Sequence, residues 1–456
     1  HLSPMHPQNV AVPKRAVHEN LYVHSKGTPR RRWLARYLVP ARPTLLACPR
    51  AMPRRMLNAC SKSGLHPMSA ATSLWPQNLT AASYPRGLPP WAYDNAGLNL
   101  LEYKRILRPS WQIVCHVNDI AKAGDVFPFD CGPDSVFVLR DRNNAVQAYH
   151  NVCRHRAARL VDEHGNCGNS ITCPYHGWTY NLNGSLRGLP VRESFPLLDR
   201  DEHSLVPVRV HIMAGFVFVC IEGDAPTPDT LWGDMVDDFL PYDFENLQPL
   251  GPHYYEDWDV DWKVAMDNYL ESYHVPIGHP GLNRMFTPDY DDQQNLASGV
   301  ARGVSWMREA PSPKWSERRY QAMVERLTAH LPAANRRCWR FYSMLPNLGI
   351  DIYPDQMDFF QVLPRGPGKC TIRGGTYGLP DDRREMRVLR YLNARINRAV
   401  QREDEELCRR VQRGLASSAY TPGPLSRLEV CMLQFHDLVR ERIPETRSPS
   451  PPPHFA

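Results

Sequence analysis

Four residues between positions 153 and 176 have the chemistry and spacing to hold metal. They are Cys153 and His155, then Cys173 and His176, within CRHRAARLVDEHGNCGNSITCPYHGW. Each pair is short enough for one turn of chain to aim a thiolate and an imidazole at a single point. Those donors suit zinc or an iron–sulfur cluster. Further on, NYLESYHVPIGHPGL runs from Asn268 to Leu282 and carries His274 and His279, with Glu271 three residues before the first. Two imidazoles and a carboxylate, with positions left open, are what a non-haem Fe(II) site for dioxygen needs.

The first pattern can be narrowed. Zinc sites commonly pair Cys with Cys and His with His. Here each pair mixes the two, and the first spacer is a single residue. That fits a Rieske [2Fe–2S] centre, where two thiolates hold one iron and two neutral imidazoles the other. Cys167, between the pairs, reads as a buried thiol, because four ligands already complete such a site.

The second pattern needs a bend and a third ligand. In a continuous helix, residues five apart point about 140° apart, so His274 and His279 could not share a metal. Pro276 and Gly278 break the helical pattern and let the chain swing His279 back. Candidates for the third ligand are Asp355, Asp358, Glu403 and Asp404. The last two lie in AVQREDEELCRRVQRGL. On a helical wheel they fall about equally far from the centre of the apolar face, so periodicity does not choose between them.

The elements that must position these groups are legible in outline. Between Trp111 and Gly223, WQIVCHV, SVFVLRD, AVQAYHNV and GFVFVCIEG are short β runs, and Asn143-Asn144 marks a hairpin turn. Helical stretches are predicted near Leu98–Ile106, Leu231–Phe239 and Val264–Tyr273. Residues 338–379 read as strands, and a long helix follows from Asp382 to Ala416. The domain plan is a segment 1–76 set aside, an N-terminal helix packing on the catalytic domain (77–110), a cluster domain (111–223), a catalytic domain (224–446) and a disordered tail (447–456).

Composition bounds the rest. The chain has 456 residues, 42% of them apolar, enough for a sizeable core. No run is long and apolar enough for a membrane helix. Twelve scattered cysteines suggest a reducing, cytoplasmic location rather than a disulfide scaffold. Residues 1–76 hold twelve of the 54 Lys and Arg but only Glu19 among the acids, so the remainder is slightly acidic and not a nucleic-acid binder. That first segment reads as a disordered extension or a mis-started stretch, with Met68 as the start; a transit peptide is the other reading.

Cys-Arg-His-Arg followed by Cys-Pro-Tyr-His-Gly-Trp resembles the cluster-binding signature of the Rieske non-haem iron oxygenases, and the likeness extends over most of residues 77–446. The resemblance implies an α+β fold: a β-rich Rieske domain plus a catalytic domain of antiparallel sheet flanked by helices, of helix-grip type. It implies two cofactors, a [2Fe–2S] cluster and a mononuclear Fe(II). It chooses Asp404 as third iron ligand, because in the family that ligand follows an acidic neighbour on a late helix. It places Glu271 between the iron site and a cluster histidine of the neighbouring subunit, and Asn268 near the iron. Many ring-hydroxylating members carry Asp where this chain has Glu271. The ESYH pattern looks more like the choline, betaine and carnitine oxygenases.

The implied chemistry is O2-dependent hydroxylation or oxidative N-dealkylation of a small substrate, leaning to a quaternary ammonium compound. The alternatives are an aromatic ring-hydroxylating dioxygenase alpha subunit and a non-catalytic Rieske electron carrier. No GxGxxG after a strand and no C-x4-C-x2-C run is visible, so electrons come from an external NAD(P)H-dependent reductase or ferredoxin. A homotrimer is implied, with neither nucleic acid nor membrane as partner. Trp258, Trp262, Trp306, Trp315, Trp339, Tyr342 and Tyr353 are candidates for a cation cage.

Overall fold

The computed structural model describes residues 75–287, 294–295 and 298–455. The expectation for residues 1–76 falls almost wholly outside them.

Three small antiparallel sheets form the cluster-bearing part. Gln112–His116, Phe216–Cys220 and Arg209–Met213 make one. Val146–His150, Asp134–Arg140, Asp125–Cys131 and Gly165–Asn166 make the second; Ser170–Thr172, Thr179–Asn181 and Leu186–Gly188 make the third. The β runs are rich in Val and Phe, which suit a pleated, half-buried surface. The hairpin from Asp134 turns where the sequence predicts. Asp141 Oδ1 accepts the N–H groups of Asn143 (2.8 Å) and Ala145 (2.9 Å), and Asn144 takes the left-handed conformation at φ 63°.

The catalytic part is an eight-stranded antiparallel sheet. Its central strands are Lys369–Gly378, Met357–Gly366, Leu348–Ile352, Cys338–Met344 and Val300–Trp306. Trp262–Tyr269 packs on its strands, and the 32-residue helix Arg384–Leu415 packs against Trp262–Tyr269. Trp315–Leu327 and Val430–Arg442 are two further helices that the sequence reading did not anticipate. The fold is thus α+β, with antiparallel sheet and helices in the catalytic part.

Two buried polar knots tie the pieces. Arg373, almost wholly buried, donates from Nη1 to Ile113 O (2.8 Å) and from Nη2 to Val114 O (2.5 Å), joining the catalytic sheet to a strand of the cluster-bearing part. Lys263 Nζ lies 2.5 Å from Glu102 and 2.7 Å from Asp261, all three side chains buried. This pins the helix Ala96–Glu102 to the start of the helix Trp262–Tyr269. Burial is so complete that the Asp261 carboxyl is pushed up to about 7 despite the ammonium beside it.

The C-terminal tail corrects one expectation. Its Pro and Ser content predicted disorder, yet it is packed. Trp91 Nε1 donates to Ser448 O (2.9 Å), Asn95 Nδ2 donates to Phe455 O (2.8 Å), and the largely buried Phe455 ring sits 5.7 Å from that of Trp91. One aromatic anchor on a proline-stiffened segment offsets a small ordering cost.

Candidate metal centres

The two Cys/His loops are built alike. Cys153 N–H donates to Ala158 O and Ala157 N–H returns to Cys153 O, at 2.8 and 3.1 Å. Cys173 N–H donates to Trp178 O and Gly177 N–H returns to Cys173 O, again at 2.8 and 3.1 Å. The fourth residue after each cysteine takes a left-handed conformation: φ 57° at Ala157 and 70° at Gly177. Gly adopts that conformation freely, whereas Ala does so at a cost. Two identical turns thus present two pairs of ligands.

Both thiols are buried and the imidazoles half-buried. Burial pushes the Cys153 thiol up, with nearby Cys173 adding to it, while the Tyr180 hydroxyl 3.3 Å away works the other way. The imidazole centroids of His155 and His176 stand 4.6 Å apart, and Trp178 stacks on His155 with planes 4° apart. His155 Nδ1 is buried without a hydrogen-bond partner. Paired thiols, paired imidazoles and an orphaned ring nitrogen fit a cluster with sulfur on one iron and nitrogen on the other. Cys167, expected as a buried thiol, is only half-buried, and its N–H donates to Gly124 O (2.9 Å).

The second centre answers the spacing puzzle. The helix Trp262–Tyr269 ends, and Val275–Gly278 forms a separate single turn. His274 precedes that turn and His279 follows it, so neither obeys the angular rule of a continuous helix. Pro276 lies within it. A side chain at Gly278 would meet Leu407 Cδ1 at 2.9 Å and His274 Cδ2 at 3.2 Å, so glycine lets the turn close against the long helix.

His274 Nε2 and His279 Nε2 lie 3.1 Å apart. Asp404 Oδ1 is 2.9 Å from His279 Nε2 and 3.5 Å from His274 Nε2. Ligands at about 2.1 Å from one metal and at right angles to each other stand about 3.0 Å apart. The three atoms therefore face one point as a facial triad does. Asp404 Oδ1 is buried and makes no hydrogen bond of proper geometry, despite its closeness to the rings. Among the described residues this trio alone forms a tight metal-holding group.

The flanking acids settle what periodicity left open. Asp404 turns to the metal point, while Glu403 Oε2 accepts from His279 Nδ1 at 2.9 Å. Glu271 Oε1 meets His274 Nδ1 at 2.6 Å, and its Oε2 accepts the His274 N–H at 3.0 Å. Each imidazole thus has its far nitrogen held by a carboxylate, which fixes the tautomer that aims Nε2 inward. Glu403 in this orienting position was not anticipated; the acidic pair, with one member spare, was the available signal. Burial works to lower the His274 pKa, but Asp404 and Glu271 overcome it and push it up to about 9. Asp404 is held low by the two rings, against its burial. Asn268 Nδ2 lies 3.5 Å from His274 Nε2. Asp355 is not at this centre: its Oδ1 accepts from Tyr320 Oη at 2.7 Å and Asn393 Nδ2 at 3.2 Å.

A cavity of about 270 Å³ adjoins the triad, with His274, His279 and Asp404 in its wall. Of the aromatics predicted for a cage, Trp258, Trp339, Tyr342 and Tyr353 line it. Trp262 is instead fully buried against Phe435, and Trp306 and Trp315 are exposed.

Two family descriptions match this chain. The Rieske [2Fe-2S] domain covers residues 110–204, and the ring hydroxylating alpha subunit (catalytic domain) covers residues 244–445. The chloroplastic choline monooxygenase of Spinacia oleracea is 30% identical over 339 residues, which span 71% of this chain and 70% of that one. The glycine betaine monooxygenase oxygenase subunit of Chromohalobacter salexigens is 28% identical over 398 residues, 79% of this chain and 86% of the relative. In fold, the chain is similar to the quaternary ammonium Rieske monooxygenase CntA in complex with L-carnitine (TM-score 0.64, 21% identity, 79% of this chain and 96% of that one). It is also similar to naphthalene 1,2-dioxygenase from Rhodococcus sp. (TM-score 0.63, 21% identity, 78% and 93%).

The chain belongs to the Rieske non-haem iron oxygenases, as an alpha (oxygenase) subunit. It is an O2-dependent oxidoreductase whose cofactors are a Rieske [2Fe–2S] cluster and a mononuclear iron, and it takes electrons from a reductase or ferredoxin to act on a small substrate.

Proposed function

We propose that this oxygenase acts on a small quaternary ammonium compound, hydroxylating it or removing an N-alkyl group. The observation that carries the reading is the cavity at His274, His279 and Asp404, walled by Trp258, Trp339, Tyr342 and Tyr353. Aromatic faces attract a cation that cannot donate hydrogen bonds. The choline and glycine betaine relatives named above support it.

In this reading Cys153, Cys173, His155 and His176 hold the cluster, and His274, His279 and Asp404 hold the iron. An iron held there would supply the dioxygen activation that C–H hydroxylation needs. Glu271 and Glu403 keep both imidazoles turned toward the metal point, and the aromatic wall excludes water and positions the carbon to be attacked. Oxygen placed on a carbon bound to nitrogen gives a hemiaminal, whose collapse is N-dealkylation. Asn268, within reach of His274, orients groups in the same space.

The electron donor is a separate NAD(P)H-dependent reductase or ferredoxin. The assembly is a homotrimer in which the cluster of one subunit faces the iron site of the next through Glu271. Exposed Tyr175 beside the cluster, and exposed Tyr273 and Ile277 beside the iron site, suit such a contact. A reducing, cytoplasmic setting is supported by ten cysteines among the described residues, none of them in a disulfide. Among the described residues, no helix is long and apolar enough to cross a membrane.

The test is dioxygen uptake with a surrogate reductase across a panel of quaternary amines, aromatic acids and hydrocarbons, with product analysis. Uptake coupled to an oxidised or dealkylated amine is expected. Turnover of an arene and of no quaternary amine overturns the reading.

A further inference from the structure

We propose that Asp351 and Asp358 make one wall of the cavity selective for net positive charge, so that the enzyme prefers an ammonium alcohol or alkylammonium to a zwitterion carrying its own carboxylate. The inference rests on the cavity being the quaternary ammonium site and goes beyond it, since that class includes both kinds of molecule.

Asp351 and Asp358 stand directly opposite each other on the paired strands Leu348–Ile352 and Met357–Gly366. Residues opposite in register share one face, where like charges repel. Both line the cavity. Among the described residues no Lys, Arg or His forms an ion pair with either. Asp351 accepts from Tyr269 Oη (2.8 Å) and Tyr353 Oη (3.2 Å), and Asp358 accepts from Gln356 Nε2 (3.3 Å). These neutral donors orient the carboxylates without cancelling their charge. The phenol rings so tied are themselves cavity wall, so aromatic faces and uncompensated carboxylates occur together. Burial pushes both carboxyls up to about 7, so a cation entering the cavity draws them into the charged form, whereas a ligand carboxylate does not.

The rest of the lining does not restore balance. Glu271 and Asp404 are engaged with the imidazoles. Arg302, also in the wall, is 2.5 Å from Asp238, whose Oδ2 accepts from Tyr342 Oη at 2.7 Å as well. A ligand carboxylate entering here would compete with Asp238 for Arg302 and face Asp351 and Asp358. A lone cation makes no such demand on Arg302, whose charge Asp238 already offsets, and faces the carboxyls of Asp351 and Asp358. The position is close to the chemistry: Tyr269, which holds Asp351, follows Asn268, which lies 3.5 Å from His274 Nε2.

Binding to the purified holoenzyme without reductant tests this, read by calorimetry for three probes of similar shape. These are choline (cation), 3,3-dimethylbutan-1-ol (its uncharged isostere) and glycine betaine (zwitterion). The cation is expected to bind at least about tenfold more tightly than either of the others, a difference of about 1.4 kcal/mol. Asp351→Asn and Asp358→Asn should each remove most of that preference while the cluster's visible spectrum stays unchanged. Should Asp351→Asn disturb folding, Asp358→Asn, with fewer bonds to lose, carries the test. Equal or tighter binding of the zwitterion, or an undiminished preference in a folded Asn variant, overturns the inference. If none of the three probes binds but an arene does, it is the quaternary ammonium reading that fails.

Discussion

Exchanging the two adjacent acids of the long helix separates iron ligand from orienting group. Asp404 Oδ1 lies 2.9 and 3.5 Å from the inward nitrogens of the two imidazoles. On the proposed assignment, Asp404→Ala removes one of three ligands and the triad's carboxylate. The mononuclear iron should be lost, so that purified protein carries about two irons per chain, those of the cluster, in place of about three. Glu403→Ala removes only the 2.9 Å contact to His279 Nδ1. Loss of such an outer partner typically weakens metal binding about 10–100-fold, or about 1.4–2.7 kcal/mol. The Glu403 variant should therefore hold iron when iron is in excess and release it faster to a chelator. Iron analysis beside the visible spectrum reads both, since the cluster's absorbance should be unchanged in either protein. Were Glu403→Ala to empty the site while Asp404→Ala kept its iron, the assignment of roles would be refuted.

Other expectations follow from single observations. Ala157→Gly relieves a left-handed alanine in the first cluster loop and should stabilise the protein by about 0.5–1 kcal/mol in chemical denaturation, with the cluster intact; a loss of stability would count against it. Lys263→Ala leaves Glu102 and Asp261 buried without their cation and should cost about 3–5 kcal/mol, whereas replacing all three by apolar residues of matching size should cost less. Asp351 has a folded-state pKa of about 7, above its ordinary 3.8, because of burial. Its stabilising contribution is full below about pH 4 and is lost as pH rises through about 7. The melting temperature of Asp351→Asn should accordingly gain on that of the natural protein between about pH 4 and pH 7 and level off above, and a pH-independent difference would contradict this sign.

The sequence by itself determined the class of oxygenase. Cys153, His155, Cys173 and His176 lie in short local pairs, and local spacing is enough to specify a ligand loop. The β runs around them and the long helix were legible because each repeats its apolar pattern over several residues. Pro276 and Gly278 announced a break between His274 and His279, though not that one separate turn would fit between them. The helix Trp315–Leu327 had a readable signal, since Tyr320, Met323, Val324 and Leu327 recur at helical spacing and are buried. Val430–Arg442 buries Cys431, Leu433, Phe435 and Val439 on more than one side, so its period was obscured.

Periodicity could not choose between Glu403 and Asp404, because both border the apolar face. The resemblance pointed to Asp404, and only the tertiary structure shows why, since the direction in which His279 arrives puts Asp404 at Nε2 and Glu403 at Nδ1. The tertiary structure also separated the cage candidates, placing Trp258 and Trp339 in the cavity and Trp262 in the core. It set Asp351 opposite Asp358, two residues that become neighbours through strand register. Contacts made across a sheet or between a turn and a distant helix depend on register and packing, which no local spacing encodes.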